Sequence, residues 1–150
     1  MSRLKEQLYL LCTAYIKSKE AEIRKSIAEA QEAANDDTKS SAGDKFETGR
    51  ELMQQEIDLN LSRLSELNNL KTILDRIIPA QKGSTVSPGS LVYTTNGNFY
   101  IAIGAGQLTV GNDKYYAISA ASPIGAKMAG QKAGYEFLLN GKKFKIESVL

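Results

Sequence analysis

Histidine is absent from the 150 residues, and Cys12 is the one cysteine. Without histidine there is no imidazole base and no His-ligated metal. A single thiol cannot build a Cys-rich zinc site or an intrachain disulfide, and that usage fits a reducing compartment. Proline is scarce at three residues, and neither proline nor glycine interrupts residues 3–34. No apolar run approaches the length of a membrane span. The short apolar cluster at 8–12 is not followed by a small-residue cleavage site, so no secretory leader is expected. These absences predict a cytoplasmic protein with no membrane partner. Excess charge is also small, at +2, which excludes a strong polyanion binder. The balance is uneven along the chain, however. Residues 1–80 carry 12 Lys/Arg against 14 Asp/Glu, and residues 81–150 carry 7 against 3, so the two segments present different surfaces to different contacts.

What is present points to helices first. The uninterrupted N-terminal stretch is rich in Ala, Glu, Lys, Leu and Gln, all good helix formers. Tyr9, Ile16, Ile23 and Ala30 recur every seven residues, with Cys12, Glu20, Ile27 and Ala34 near the complementary positions. This is a heptad seam with one charged interruption. About 32 helical residues would span roughly 50 Å. The polar run from Asn35 to Gly43 reads as a turn. A second helix is predicted over 44–78, with Phe46, Met53, Ile57, Leu64, Leu67, Leu74 and Ile78 on its seam, Asn60 and Lys71 interrupting it, and Pro79 stopping it. Two long helices with a short connection predict an antiparallel coiled-coil hairpin over 1–79. The small Ala residues near the turn should thin it toward its tip.

Residues 79–89 read as a linker, and the texture then changes. Leu91-Val92-Tyr93 and the run 99–103 flank Asn96-Gly97. Asn140-Gly141 sits between 135–139 and 143–149. Both are hairpin signals. Residues 115–119 read as another strand and Pro123 to Met128 as a short helix with proline in its first turn. The reading is α+β: a helical hairpin, then a small antiparallel sheet with one short helix over 88–150. About 65 residues can just support a core of their own.

Two stretches resemble the bacterial Gre transcript-cleavage factors of transcription elongation. The first is Ser41-Ala42-Gly43-Asp44-Lys45-Phe46-Glu47, at the predicted turn of the hairpin. The second runs from Ile118 through Ser119-Ala120-Ala121-Ser122-Pro123-Ile124-Gly125 to Gly130-Gln131-Lys132-Ala133-Gly134. Domain order and length agree as well. The resemblance implies an FKBP-like C-terminal domain that docks on bacterial RNA polymerase through Ser122, Pro123 and Ile124. It implies a hairpin that enters the secondary channel as a monomer. It further implies that Asp44 and Glu47 help hold a Mg²⁺ shared with the polymerase active centre, where the polymerase cleaves the 3′ end of backtracked RNA. The isolated chain would need no cofactor and would be an accessory factor, not an enzyme. Paired carboxylates suit Mg²⁺ because it prefers hard oxygen ligands, and an i, i+3 spacing puts both on one helix face. The chain departs from the family at Thr48-Gly49-Arg50-Glu51, where the family commonly has Asn and then a Glu-Tyr pair. Lys45 and Arg50 also bring positive charge near the carboxylates. A non-cleaving channel modulator or inhibitor therefore stays open.

Other readings stand beside these. Asp44 and Glu47 also fit an N-cap with a capping-box partner, and Asp36 and Asp37 fit solvated turn residues. Lys142, Lys143 and Lys145 form a basic strand that fits a solvated edge resisting aggregation better than an RNA site. An FKBP-like domain with a coiled coil could be a folding helper, although a fold does not establish an activity. Leu10 and Leu70, opposite the seam, leave room for a structural adaptor that pairs with another helix.

Overall fold

A computed structural model describes the backbone of residues 2–37, 43–79 and 81–150, and the side chains of 3–33, 49–79 and 81–150. The class is α+β. Two long helices, α1 (Ser2–Asp37) and α2 (Gly43–Asp75), precede six strands. These are β1 (Leu91–Thr94), β2 (Gly97–Ala102), β3 (Gly106–Val110), β4 (Asp113–Ser119), β5 (Glu136–Leu139) and β6 (Lys142–Val149). The short helix α3 (Pro123–Met128) lies between β4 and β5. The chain forms two compact units, one of Met1–Tyr15 with Lys71–Leu150 and one of Ile16–Leu70.

In the Ile16–Leu70 unit, Ile16, Ala30, Ile57, Leu67 and the polar Asn60 are buried. Their spacings, three and seven residues on α2 and fourteen on α1, are those of a stripe on a 3.6-residue helix. The Asn60 side-chain oxygen accepts from Arg63 Nη1 at 3.2 Å, so its polarity is answered on its own helix. Exposed pairs such as Arg24–Glu20 at 3.2 Å and Lys19–Glu22 at 3.7 Å add a few tenths of a kcal/mol each at most.

In the other unit the strand order is β3-β4-β2-β1-β6-β5. Both predicted hairpins form, joining β1 to β2 and β5 to β6. Asn140 (φ 52°) and Gly141 (φ 80°) take the two left-handed positions of a type I′ turn, the turn whose twist matches the flanking strands. In the other hairpin Thr94 pairs with Gly97, so the turn residues are Thr95 and Asn96, one step earlier than the Asn-Gly signal suggests.

The sheet is mixed, not antiparallel as the sequence reading expected. β4 runs parallel to β2, with Phe99 opposite Tyr116 and Ile101 opposite Ile118. The unanticipated β3 lies outside β4 and pairs antiparallel with it. Side-chain pattern accounts for the positions of these two strands in the sheet. β4 buries Tyr115 and Ala117 on one face and half-buries Ile118 on the other, so it suits an interior position. β3 buries only Leu108 and suits an edge. Gly111-Asn112, a turn pair between the Leu108-Thr109-Val110 run and the strand at 115–119, is the sequence signal for β3.

One face of the sheet carries Val92, Phe99, Ile101, Phe137, Phe144 and Ile146, closed by Val86 and by Met128 of α3. Phe137 and Phe144 stack 5.0 Å apart, and Phe99 follows at 6.4 Å from Phe144. Val86 sits in this core because its N–H donates to Gln131 O and its carbonyl accepts from Gly130 N–H, both at 2.9 Å. The other face presents Leu91, Tyr100 and Ala117, all buried.

The second helix ends at Asp75, three residues before the predicted Ile78. The residue before a proline is pushed out of the helical region. The Ile77 N–H closes a tighter turn onto Leu74 O at 3.0 Å. Ile77 is consequently buried and Ile78 is 61% exposed. No helix among the described residues is long and apolar enough to cross a membrane.

Candidate functional site

The segment from Ser119 to Met128 is built around one hydroxyl. Ser122 Oγ donates to Ser119 O at 2.6 Å and accepts from Gly125 N–H at 3.1 Å. This caps α3, where Pro123 needs no N–H partner. Pro123 is exposed, Ser122 is half-buried, and Ile124 is half-buried with its side chain packed on the aromatic core. The three residues named from the sequence are therefore together but unlike. Pro123 offers surface, Ser122 fixes the turn, and Ile124 divides its side chain between core and surface. Gly125 was not weighed by itself, yet the loop depends on it. A Cβ there would stand 2.2 Å from Ser119 O and 2.9 Å from Ser122 Oγ. A backbone carbonyl in a short hydrogen bond cannot step aside cheaply, so only glycine fits.

Asp44 and Glu47 are the second and fifth residues of α2. Their side chains fall outside the described residues, as do those of Lys45 and of Asp36 and Asp37 at the end of α1. The helical backbone places these two positions, three apart, on one face at the start of the helix. Lys142, Lys143 and Lys145 are all exposed, but β6 lies between β1 and β5 and is an interior strand, not the edge expected from the sequence.

A second group of residues escaped the sequence reading. Lys5 is 3% exposed; its Nζ donates to Gln81 O and, at 3.1 Å, to Leu150 O. Burial lowers its pKa below the usual lysine value. A lysine is the residue type least often placed inside, and its partners lie 76 and 145 positions away, so no local pattern announces them. Tyr9 Oη donates to Leu74 O at 3.0 Å. Burial pushes the Cys12 thiol up to about 12. The Tyr100 hydroxyl is raised by burial and then by the neighbouring Cys12 and Tyr9, and it has no hydrogen-bond partner. An inert thiol and an orphaned phenol are marks of packing, not of a nucleophile. Beside Lys5 lies a polar hollow of about 130 Å³ whose walls include Lys82, Ser87 and Ser90.

No family model, curated protein or solved structure matches the chain.

Proposed function

We propose that this chain is a Gre-like elongation factor that binds the secondary channel of bacterial RNA polymerase and stimulates the polymerase's cleavage of backtracked RNA. The observation that carries the reading is an order of parts. Two long helices stand ahead of a mixed sheet, and the Ser-Ala-Gly-Asp-Lys-Phe-Glu run falls where the second helix begins. In this reading α1 and α2 form an antiparallel coiled-coil hairpin. The buried stripes of both helices support it, and so does the bond from Tyr9, near the start of α1, to Leu74, near the end of α2. The sheet and α3 form the FKBP-like docking domain, with the capped Ser122-Pro123-Ile124 corner against the polymerase.

Asp44 and Glu47 would hold the shared Mg²⁺. Both supply hard carboxylate oxygens, and their i, i+3 spacing at the start of α2 puts both positions on one face, so the donor set fits this ion. The ion when bound supplies charge stabilisation at the reacting phosphate. The chain's own part is to carry two carboxylates on a helix long enough to reach them into a channel, and to keep its base fixed through the Lys5 and Tyr9 bonds. A channel occupant without cleavage activity is the second reading, favoured by Lys45 and Arg50 beside the carboxylates.

The test is addition of the chain to stalled, backtracked elongation complexes of its own polymerase. Shortened RNA with a new 3′ end is expected, and Asp44→Asn should abolish it with little change in the melt, because the substitution removes the charge, keeps the side chain's size, and at a helix start forfeits only about 0.3–1 kcal/mol of dipole interaction. Altered or blocked transcription without cleavage would select the second reading. Failure to bind polymerase would overturn both.

A further inference from the structure

We propose that the polar hollow beside Lys5 is a binding site for a phosphate group, carried by free phosphate or by a small phosphate ester. The inference does not rest on the polymerase reading.

The wall is fixed before any guest arrives. Ser87-Pro88-Gly89-Ser90 is a β-turn. The Ser90 N–H donates to Ser87 O at 2.9 Å, proline fills the second position, and Gly89 fills the third with φ 93°, as a type II turn requires. The Gly89 N–H donates to Ile101 O at 2.6 Å, which ties the turn to β2. Lys5, Gly89 and Ser90 are buried and make the floor, whereas Lys82 and Ser87 are exposed and make the rim. The space of about 130 Å³ is comparable to cavities that admit a benzene-sized guest.

Two buried groups on the floor have donor hydrogens without a good acceptor. An ammonium carries three N–H donors, and Lys5 directs two of them at Gln81 O and Leu150 O. Ser90 is 4% exposed, and its Oγ accepts from the Ser87 N–H at 3.0 Å. For its own hydrogen the acceptors in reach are Thr85 O at 3.4 Å and Ser87 Oγ at 3.5 Å. Both are longer than an O–H···O bond normally runs. A buried donor left without an acceptor costs stability, so the guest that suits this floor is one that accepts.

Charge makes that guest an anion. Two ammonium groups, Lys5 and Lys82, line the hollow, and no carboxylate side chain does. Leu150 O meets Lys5 alone. Water would answer these donors only by bringing hydrogens that need acceptors of their own. A carboxylate has two oxygens, too few for the donors of Lys5, Lys82, Ser87 and Ser90. A phosphate ester keeps three strong acceptor oxygens and most of a double negative charge, and lysine suits it as a point charge. Ile78, 61% exposed on the same wall, offers an apolar shelf for the organic part of an ester.

The experiment titrates the full chain with inorganic phosphate and with phenyl phosphate, each against chloride at equal ionic strength. Saturable shifts of the Gly89 and Ser90 amide resonances are expected, with saturable broadening of the phosphorus resonance. Tighter binding of phenyl phosphate would identify the guest as an ester, and tighter binding of inorganic phosphate would identify it as the free ion. Lys5→Met and Lys82→Met should each weaken binding about tenfold or more, the loss of a charged hydrogen bond. If Lys5→Met fails to fold, Lys82→Met, at an exposed side chain, remains decisive. Shifts that do not saturate, or that chloride reproduces, would overturn the proposal by leaving the hollow to water. Saturable binding undiminished in Lys82→Met would overturn it as well, because the anion would then sit elsewhere.

Discussion

The two units are held together in different ways. In the Ile16–Leu70 unit side-chain bonds such as Glu20–Arg24, Gln54–Asp58 and Asn60–Arg63 join residues three or four apart. Its burial is a single stripe interrupted by Asn60. In the other unit Lys5, Tyr9 and Asn96 make bonds that cross 47 to 145 positions, and the core has two faces. The difference teaches where specificity resides. A helix with local pairs is correct at every register, and only the stripe fixes what it packs against. A sheet whose strands come from distant parts of the chain has one arrangement or none.

The comparison can be broken most forcefully by removing one apolar side chain from each unit. Phe144 touches aromatic rings on two sides, and Phe144→Ala should cost about 3–5 kcal/mol. Leu67→Ala in the helical stripe should fall near the low end of its class, about 2 kcal/mol, because a single stripe can close over the gap. Urea unfolding of both variants, followed by near-UV and far-UV circular dichroism, measures the two costs. Equal losses, or a larger one at Leu67, would remove the distinction.

Alkaline pH should act on the sheet unit next most strongly. The Cys12 thiol loses its proton near 9.0 in the unfolded chain and near 12 in the folded one. Above pH 9 the unfolded state is therefore the more ionised, and folding stability falls as pH rises toward 12. The loss from this thiol is about 2 kcal/mol by about pH 10.5. Tyr115, raised to about 12 by burial and by its bond to Tyr93, and Tyr100 act in the same direction. Lys5 opposes them, because its lowered pKa makes stability rise with pH up to its usual 10.5. Cys12→Ala should flatten the fall between pH 9 and about 11 when urea midpoints are plotted against pH. An unchanged slope would mean that the thiol titrates alike in both states.

Gly125→Ala sharpens the contrast at a single backbone position. The new methyl would meet Ser119 O, and overpacking against backbone costs about 1–3 kcal/mol. The expected result is loss of the Ser122 cap, seen as a lower melting temperature and displaced amide resonances over 119–128. A melt identical to wild type would show that the loop relaxes freely.

How much of this was legible in the sequence follows from the same contrast. The helices were legible because their period repeats over thirty residues, and α3 because Ser-Pro opens it. The Asn-Gly pairs marked both hairpins. The parallel pairing of β2 with β4 was not legible, since period-2 alternation says which face is buried and nothing about the neighbouring strand's direction. Lys5 was hidden because a lone lysine in a helical run reads as solvent-facing until Gln81 and Leu150 are brought to it. Gly125 was hidden because its constraint is a clash with Ser119 O, not a positive φ. Of the site residues, the Ser122 corner is now placed. Asp44 and Glu47 are defined by their i, i+3 spacing at the start of α2.

The smallest expected effects set one buried polar group in each unit side by side. Tyr100 Oη is enclosed with no partner, so it has lost its hydration without a compensating bond. Tyr100→Phe removes the hydroxyl and leaves the ring in place. It should stabilise the fold by about 1 kcal/mol, the cost that an unmet polar group carries in mutational series. Asn60 is enclosed too, at 2% exposure, but Arg63 answers part of its polarity. Asn60→Leu should therefore gain about as much from apolar burial while surrendering a bond of about 0.5–1.5 kcal/mol, a net change near zero. A buried Asn in a helical seam also fixes register, and Leu would leave the helices freer to slip. The distinguishing readout is amide exchange. Tyr100→Phe should slow exchange across the sheet, whereas Asn60→Leu should leave the melt unchanged and speed exchange along Ile16–Leu70. If Tyr100→Phe instead destabilises, the hydroxyl is bonded in solution, and the sheet unit is as fully satisfied as the helical one.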